Sequence, residues 1–126
     1  MNALLLVGMG GAVGAISRYL LMSFIGHAVP AVVFPYGTFA VNVIGSLFMG
    51  LLIGILARYV DGGNELRLFI AVGVLGGFTT FSAFSLDAVT LIERGEIITS
   101  FIYILSSVIF SVAGLFAGLF IMRAVN

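Results

Sequence analysis

The chain has no cysteine, which excludes disulfides, thiolate metal sites and cysteine nucleophiles while leaving its redox compartment open. It has no lysine either, so a G-x-x-x-x-G-K-[ST] phosphate loop is excluded. The basic groups are Arg18, Arg58, Arg67, Arg94 and Arg123, balanced by five acids to a net charge of zero, and nothing in that balance calls for a nucleic-acid partner. Charge of either sign is scarce. Only 8% of the 126 residues are charged whereas 62% are hydrophobic, too little polar surface to cover the core of a soluble domain of this size. The single histidine, His27, falls in a predicted connection, which excludes an imidazole metal cluster and argues against a Ser/His protease. Without a nucleophile and base at depth, an enzyme is not expected.

What remains is a membrane protein. Four stretches reach the roughly 20 apolar residues that a span requires: 3–25, 37–59, 66–92 and 97–123. The sequence predicts an all-α, single transmembrane domain over residues 1–126. The N-terminal stretch lacks a basic leader and is too long for a signal core, so it is expected to be a retained span. Both prolines, Pro30 and Pro35, lie in the first connection, where a missing N–H does least harm.

With four spans both termini share a side, which places Arg58, Arg67 and Arg123 there and Arg18 and Arg94 toward the other. An excess of one arginine is a weak orienting instruction. Insertion both ways up, with pairing as an antiparallel dual-topology homodimer, is therefore expected. Gly10/Gly14, Gly50/Gly54, Gly73/Gly77 and Gly114/Gly118 each form a G-x-x-x-G pair, suited to close helix packing.

The third stretch contains "GGFTTFSAFS", residues 76–85. A helix climbing from Leu66 reaches Gly76 after about 16 Å, about half of a 30 Å hydrocarbon core. Paired glycines followed by β-branched Thr79 and Thr80 make a poor continuous helix, so a break near the bilayer midplane is predicted. Lipid cannot satisfy the backbone groups such a break releases. They are met either by threonine and serine hydroxyls within a kinked helix or by an ion held on unwound carbonyls, a device that a two-fold axis would double.

Polar rows flank this stretch. Thr38, Asn42 and Ser46 recur every four residues in the second span, as do Tyr103, Ser107 and Ser111 in the fourth, so each set shares a helix face. Phe81 and Phe84 lie three apart, as do Ser82 and Ser85. Interhelical hydrogen bonds and lipid-facing packing account for such residues; so does an anion path, because amide and hydroxyl donors suit an anion and an aromatic ring is positive at its edge. Arg18, about 22 Å along a helix from Ala3, is expected near the far interface, as an anchor or a vestibule charge. No acid lies deep in the first, second or fourth stretch, and Asp87 is expected close to the interface.

Four short spans, "GTFAVNVIG" in the second, "GGFTTFSAFS" in the third and the Tyr/Ser row in the fourth resemble, over essentially the whole chain, the small bacterial fluoride channels called Fluc. The resemblance implies a passive fluoride-selective channel of the bacterial inner membrane, a dual-topology dimer with two pores and a structural sodium ion at its centre. By position in the motif, the backbone carbonyls of Gly76 and Thr79 would hold that sodium, and Phe81 and Phe84 would turn ring edges toward fluoride. Asn42 would order those rings and approach the ion, and Tyr103, Ser107 and Ser111 would form the polar track. Ser82 would add a hydroxyl, and Arg18 would be the vestibule arginine. A small dual-topology multidrug/proton antiporter and a non-transporting scaffold subunit are the alternatives; the first would need an acid in the first span.

Overall fold

The computed structural model describes residues 2–30, 33–58 and 63–125, and within them all regular structure is helical. Helix α1, Ala3–Ala28, starts at Asn2, whose side-chain oxygen accepts the Leu4 amide at 2.8 Å and caps the first turn. It extends past the expected end at residue 25, because no proline intervenes before Pro30. His27 consequently belongs to the last turn of α1 rather than to a connection, with its Nδ1 2.7 Å from the Ser23 carbonyl oxygen.

Helix α2, Tyr36–Leu56, follows Pro35. It stops short of the expected residue 59: Ala57 and Arg58 form a turn, and Tyr59 lies outside the described residues. The third span, Asn64–Glu93, is two helices. The first, α3, covers residues 63–78 and is wound wide over Arg67–Leu75, where hydrogen bonds reach five residues back. The second, α4, is Phe81–Glu93. A tight turn then leads to α5, Ile97–Ala124. In that turn Gly95 takes φ 82°, in the left-handed region. The Gly95 amide bonds the Ile92 carbonyl at 3.0 Å and the Glu96 amide the Leu91 carbonyl at 2.8 Å, the Schellman pattern that uses up the last carbonyls of α4.

All four spans are long and apolar enough to cross a membrane. Even α2, with 21 residues, covers about 31 Å at 1.5 Å per residue, the thickness of a hydrocarbon core.

The third span changes partners at its midpoint. Below the break α3 packs along α1; above it α4 packs along α5, and α2 lies against α5 over most of its length. Glycines permit the closest approaches: a Cβ on Gly73 would stand 2.8 Å from the Gly10 Cα, and one on Gly77 would stand 2.7 Å from the Gly11 carbonyl. On the other side of the molecule, Gly50 and Gly118 face the α5 and α2 backbones in the same way. Two apolar clusters result, Leu52, Leu56, Ala71 and Leu75 between α2 and α3, and Ala88, Leu91 and Tyr103 between α4 and α5. The break lies between them.

Candidate functional site

The break comprises Thr79 and Thr80, both in extended conformation with φ/ψ of −83°/159° and −150°/122°. Two side chains, those of Asn42 and Thr80, replace helical hydrogen bonds lost there. In an unbroken helix the Thr80 amide would bond the Gly76 carbonyl; instead it donates to Asn42 Oδ1 at 2.8 Å, and Asn42 Nδ2 donates to the Thr80 carbonyl at 3.0 Å. Asn42 thus clasps one residue by both of its main-chain groups, as a neighbouring strand would. The Ala83 amide, which would otherwise bond the Thr79 carbonyl, donates to Thr80 Oγ1 at 3.1 Å and so caps α4. Thr79 Oγ1 returns to the Leu75 carbonyl at 3.0 Å.

The Thr79 carbonyl accepts from Arg18 Nη1 at 3.3 Å. Arg18 therefore lends a donor to the break. Side chains on a helix tilt toward its N-terminus, so a long side chain in α1 is carried back to the level of Thr79.

Beside the break lies a groove of about 380 Å³ between α2, the start of α4, and α5. Its walls include Asn42, Ser46, Thr79, Thr80, Phe81, Phe84, Ser107 and Ser111. Of the two polar rows, it thus receives the lower part of each. The Phe81 and Phe84 rings stand 5.5 Å apart, centre to centre, tilted by 49°. Phe84 leans on Tyr103, at 5.2 Å, while Phe81 is 78% exposed on the open side. The Ser107 hydroxyl is buried and has no hydrogen-bond partner among the described residues. Such a group costs free energy unless something else binds it.

Not every expected residue reaches the groove. Ser82 is exposed, its hydroxyl 3.3 Å from Thr80 Oγ1, and it is not among the lining residues. Tyr103 is fully buried one turn away from Ser107, and its hydroxyl donates to Asp87 Oδ2 at 3.0 Å. Gly76 and Thr79 lie at the break, and the amides that would bond their carbonyls in an unbroken helix, those of Thr80 and Ala83, are taken by side chains.

Two residues with a part in this arrangement were not expected as site residues: Thr80 was read only as a helix breaker and Asp87 only as an acid close to the interface. Thr80 is the residue held by Asn42 and the cap of α4; a threonine three residues before Ala83 at a helix start carries that signal. Asp87 is half-buried and bonded to the buried tyrosine. An acid within an apolar span is itself a signal of function.

Comparison with known proteins places these features in a family context. A family model described as "CrcB-like protein, Camphor Resistance (CrcB)" matches residues 5–119. The chain is 52% identical to the "Fluoride-specific ion channel FluC" of Novosphingobium aromaticivorans, covering 99% of each chain. It is 51% identical to the protein of the same name in Phenylobacterium zucineum, covering 99% of this chain and 98% of that one. With the one from Agrobacterium fabrum it shares 50% identity over 94% of each.

Proposed function

This chain belongs to the CrcB-like family, and from that premise we propose that it is a passive, fluoride-selective ion channel of the bacterial inner membrane. Relatives about half identical over nearly their whole length carry the channel's name, which favours this reading over an antiporter or a scaffold. A channel performs no covalent chemistry.

The observation that carries the mechanism is the groove beside the broken span, lined by Asn42, Phe81, Phe84 and the unpartnered hydroxyl of Ser107. Fluoride holds its water tightly, so a pore that dehydrates it must return hydrogen-bond donors and positive edges. An asparagine amide nitrogen has two N–H groups. One is engaged by the Thr80 carbonyl, which leaves the other to donate into the groove. Ser107 offers an unpartnered hydroxyl, with Ser46 and Ser111 along the same walls, and Phe81 and Phe84 supply ring edges at the open side. All of these groups are neutral, so the ion is bound weakly enough to leave.

The open groove and the exposed Phe81 ring support closure by a second copy, with antiparallel pairing as the arrangement that the near-balanced arginines permit. Two grooves per dimer would give two pores. The sodium ion belongs to the same proposal. Hard carbonyl oxygens suit it, and Gly76 and Thr79 provide two that have lost their helical donors; a two-fold axis would bring four together. A carbonyl has two lone pairs, so the Arg18 bond leaves Thr79 one more. The ion would supply positive charge at the midplane and tie the breaks of two chains.

Purified protein in liposomes tests the function: selective fluoride efflux without a proton gradient is expected. Phe81→Ile, which removes a ring edge from an exposed position, is expected to slow that efflux tenfold or more while assembly is unchanged on gel filtration. Drug-for-proton exchange, or no flux at all, would contradict the reading.

A further inference from the structure

At the opposite end of α2 and α5 from the first connection lies a second cleft, of about 260 Å³, lined by Ile53, Gly54, Ala57, Arg58, Leu119 and Arg123. Among the described residues its lining holds no carboxylate, and the two charges found there are both guanidinium groups. Gly54 allows α2 to approach α5 there, since a Cβ at that position would meet Met122 Cγ at 3.1 Å. The cleft floor is therefore apolar and its mouth cationic.

The two arginines differ in how they are held. Arg58 donates through Nη2 to the Met122 carbonyl, one of the last four of α5 that have no intrahelical partner. That bond fixes its guanidinium over the cleft and leaves other N–H groups of the fork unengaged. Arg123 has no acceptor among the described residues. Capping of α5 accounts for Arg58 alone; it accounts neither for a second guanidinium across the cleft nor for the apolar floor between them.

Position identifies the ligand class. Helix α5, with 28 residues, is about 42 Å long, more than a 30 Å hydrocarbon core, so its C-terminal turn reaches the headgroup layer. Lipid phosphates lie at that level. A small inorganic anion would use the guanidinium groups and leave Ile53, Ala57 and Leu119 without a partner, whereas a phospholipid places a phosphate at the mouth and its glycerol and upper acyl carbons on the floor. Basic pockets between transmembrane helices take anionic headgroups by this combination of charge and apolar contact.

We propose that the Arg58/Arg123 cleft between α2 and α5 binds the phosphate of an anionic membrane phospholipid. The assignment requires only that the chain spans a membrane, and its test does not read fluoride flux. The full chain, in mild detergent, is titrated with phosphatidylglycerol and with phosphatidylcholine, and bound lipid is counted by native mass spectrometry. Wild type is expected to bind phosphatidylglycerol at least about tenfold more tightly than phosphatidylcholine, and the double variant Arg58→Gln/Arg123→Gln to lose that preference. Ala57→Trp, which fills the floor and keeps both charges, provides a second variant should the double variant fail to fold; it is expected to weaken phosphatidylglycerol binding several-fold. Equal binding of the two lipids by wild type, or an unchanged preference in either folded variant, would overturn the proposal. So would displacement of phosphatidylglycerol by millimolar inorganic phosphate, which would make the cleft a site for small anions.

Discussion

Asn42 and Ser107 line the same groove, yet their substitution should divide structure from transport in opposite ways. Asn42 holds Thr80 by two hydrogen bonds, at 2.8 and 3.0 Å, and removing it leaves a main-chain donor and acceptor in an apolar surround. Asn42→Ala is expected to cost about 2 kcal/mol of stability, seen as a lower thermal midpoint in detergent, and to slow fluoride efflux as well. Ser107 bonds nothing among the described residues, so its loss removes an unsatisfied group. Ser107→Ala is expected to leave thermal stability unchanged or slightly raised while efflux falls; a clear loss of stability would show that its hydroxyl has a structural partner. At this scale the sequence was only partly legible. Spacing placed Asn42 on one helix face with Thr38 and Ser46, and Ser107 and Ser111 on one with Tyr103, but the Asn42–Thr80 clasp joins residues 38 apart, and no local pattern encodes such a pairing. The bond from Arg18 to the Thr79 carbonyl likewise joins residues 61 apart, which a count of rise per residue along one helix does not show.

Among the elements, the broken span was the most legible, because Gly76, Gly77, Thr79 and Thr80 all weaken a helix within five positions. The wide winding over Arg67–Leu75 was not, since its composition is that of an ordinary apolar helix. The exchange of partners at the break, α1 below and α5 above, arises from tertiary packing and leaves no trace in hydropathy. The glycine pairs announced close contacts without saying which helices they join; Gly10 and Gly73 turn out to face one another. Gly73→Val sets its branched side chain against the α1 backbone, where no side chain can yield. It is expected to separate α1 from α3 and to lower the yield of folded protein severalfold. Gly8→Val, at a position with open space around it, is the control expected to fold normally.

For the whole molecule, the exposed apolar surface would, in the proposed assembly, be shared between lipid and a second copy. Phe24 and Phe120, 72% and 73% exposed, lie away from the groove, whereas Phe81 stands at its mouth. If antiparallel pairing covers that mouth, single cysteines introduced into this cysteine-free chain, for example at Asn2, should be labelled from both sides of the membrane. Labelling from one side alone would remove the dual topology. Exchange of sodium for an organic cation is expected to reduce both the dimer fraction and fluoride efflux, and indifference of both would remove the central ion.

The change of partners within the third span also sets an order of assembly during synthesis. When α3 leaves the ribosome its neighbour α1 is already in place, but α4 must wait for α5, the last segment to be translated. Asn42 and Thr80 have both emerged by then, so the main chain can be pinned at mid-span while the upper half of the third span is still without its companion. Truncation before α5 should accordingly yield an inserted but half-anchored nascent chain, accessible to proteases above residue 80 and protected below it.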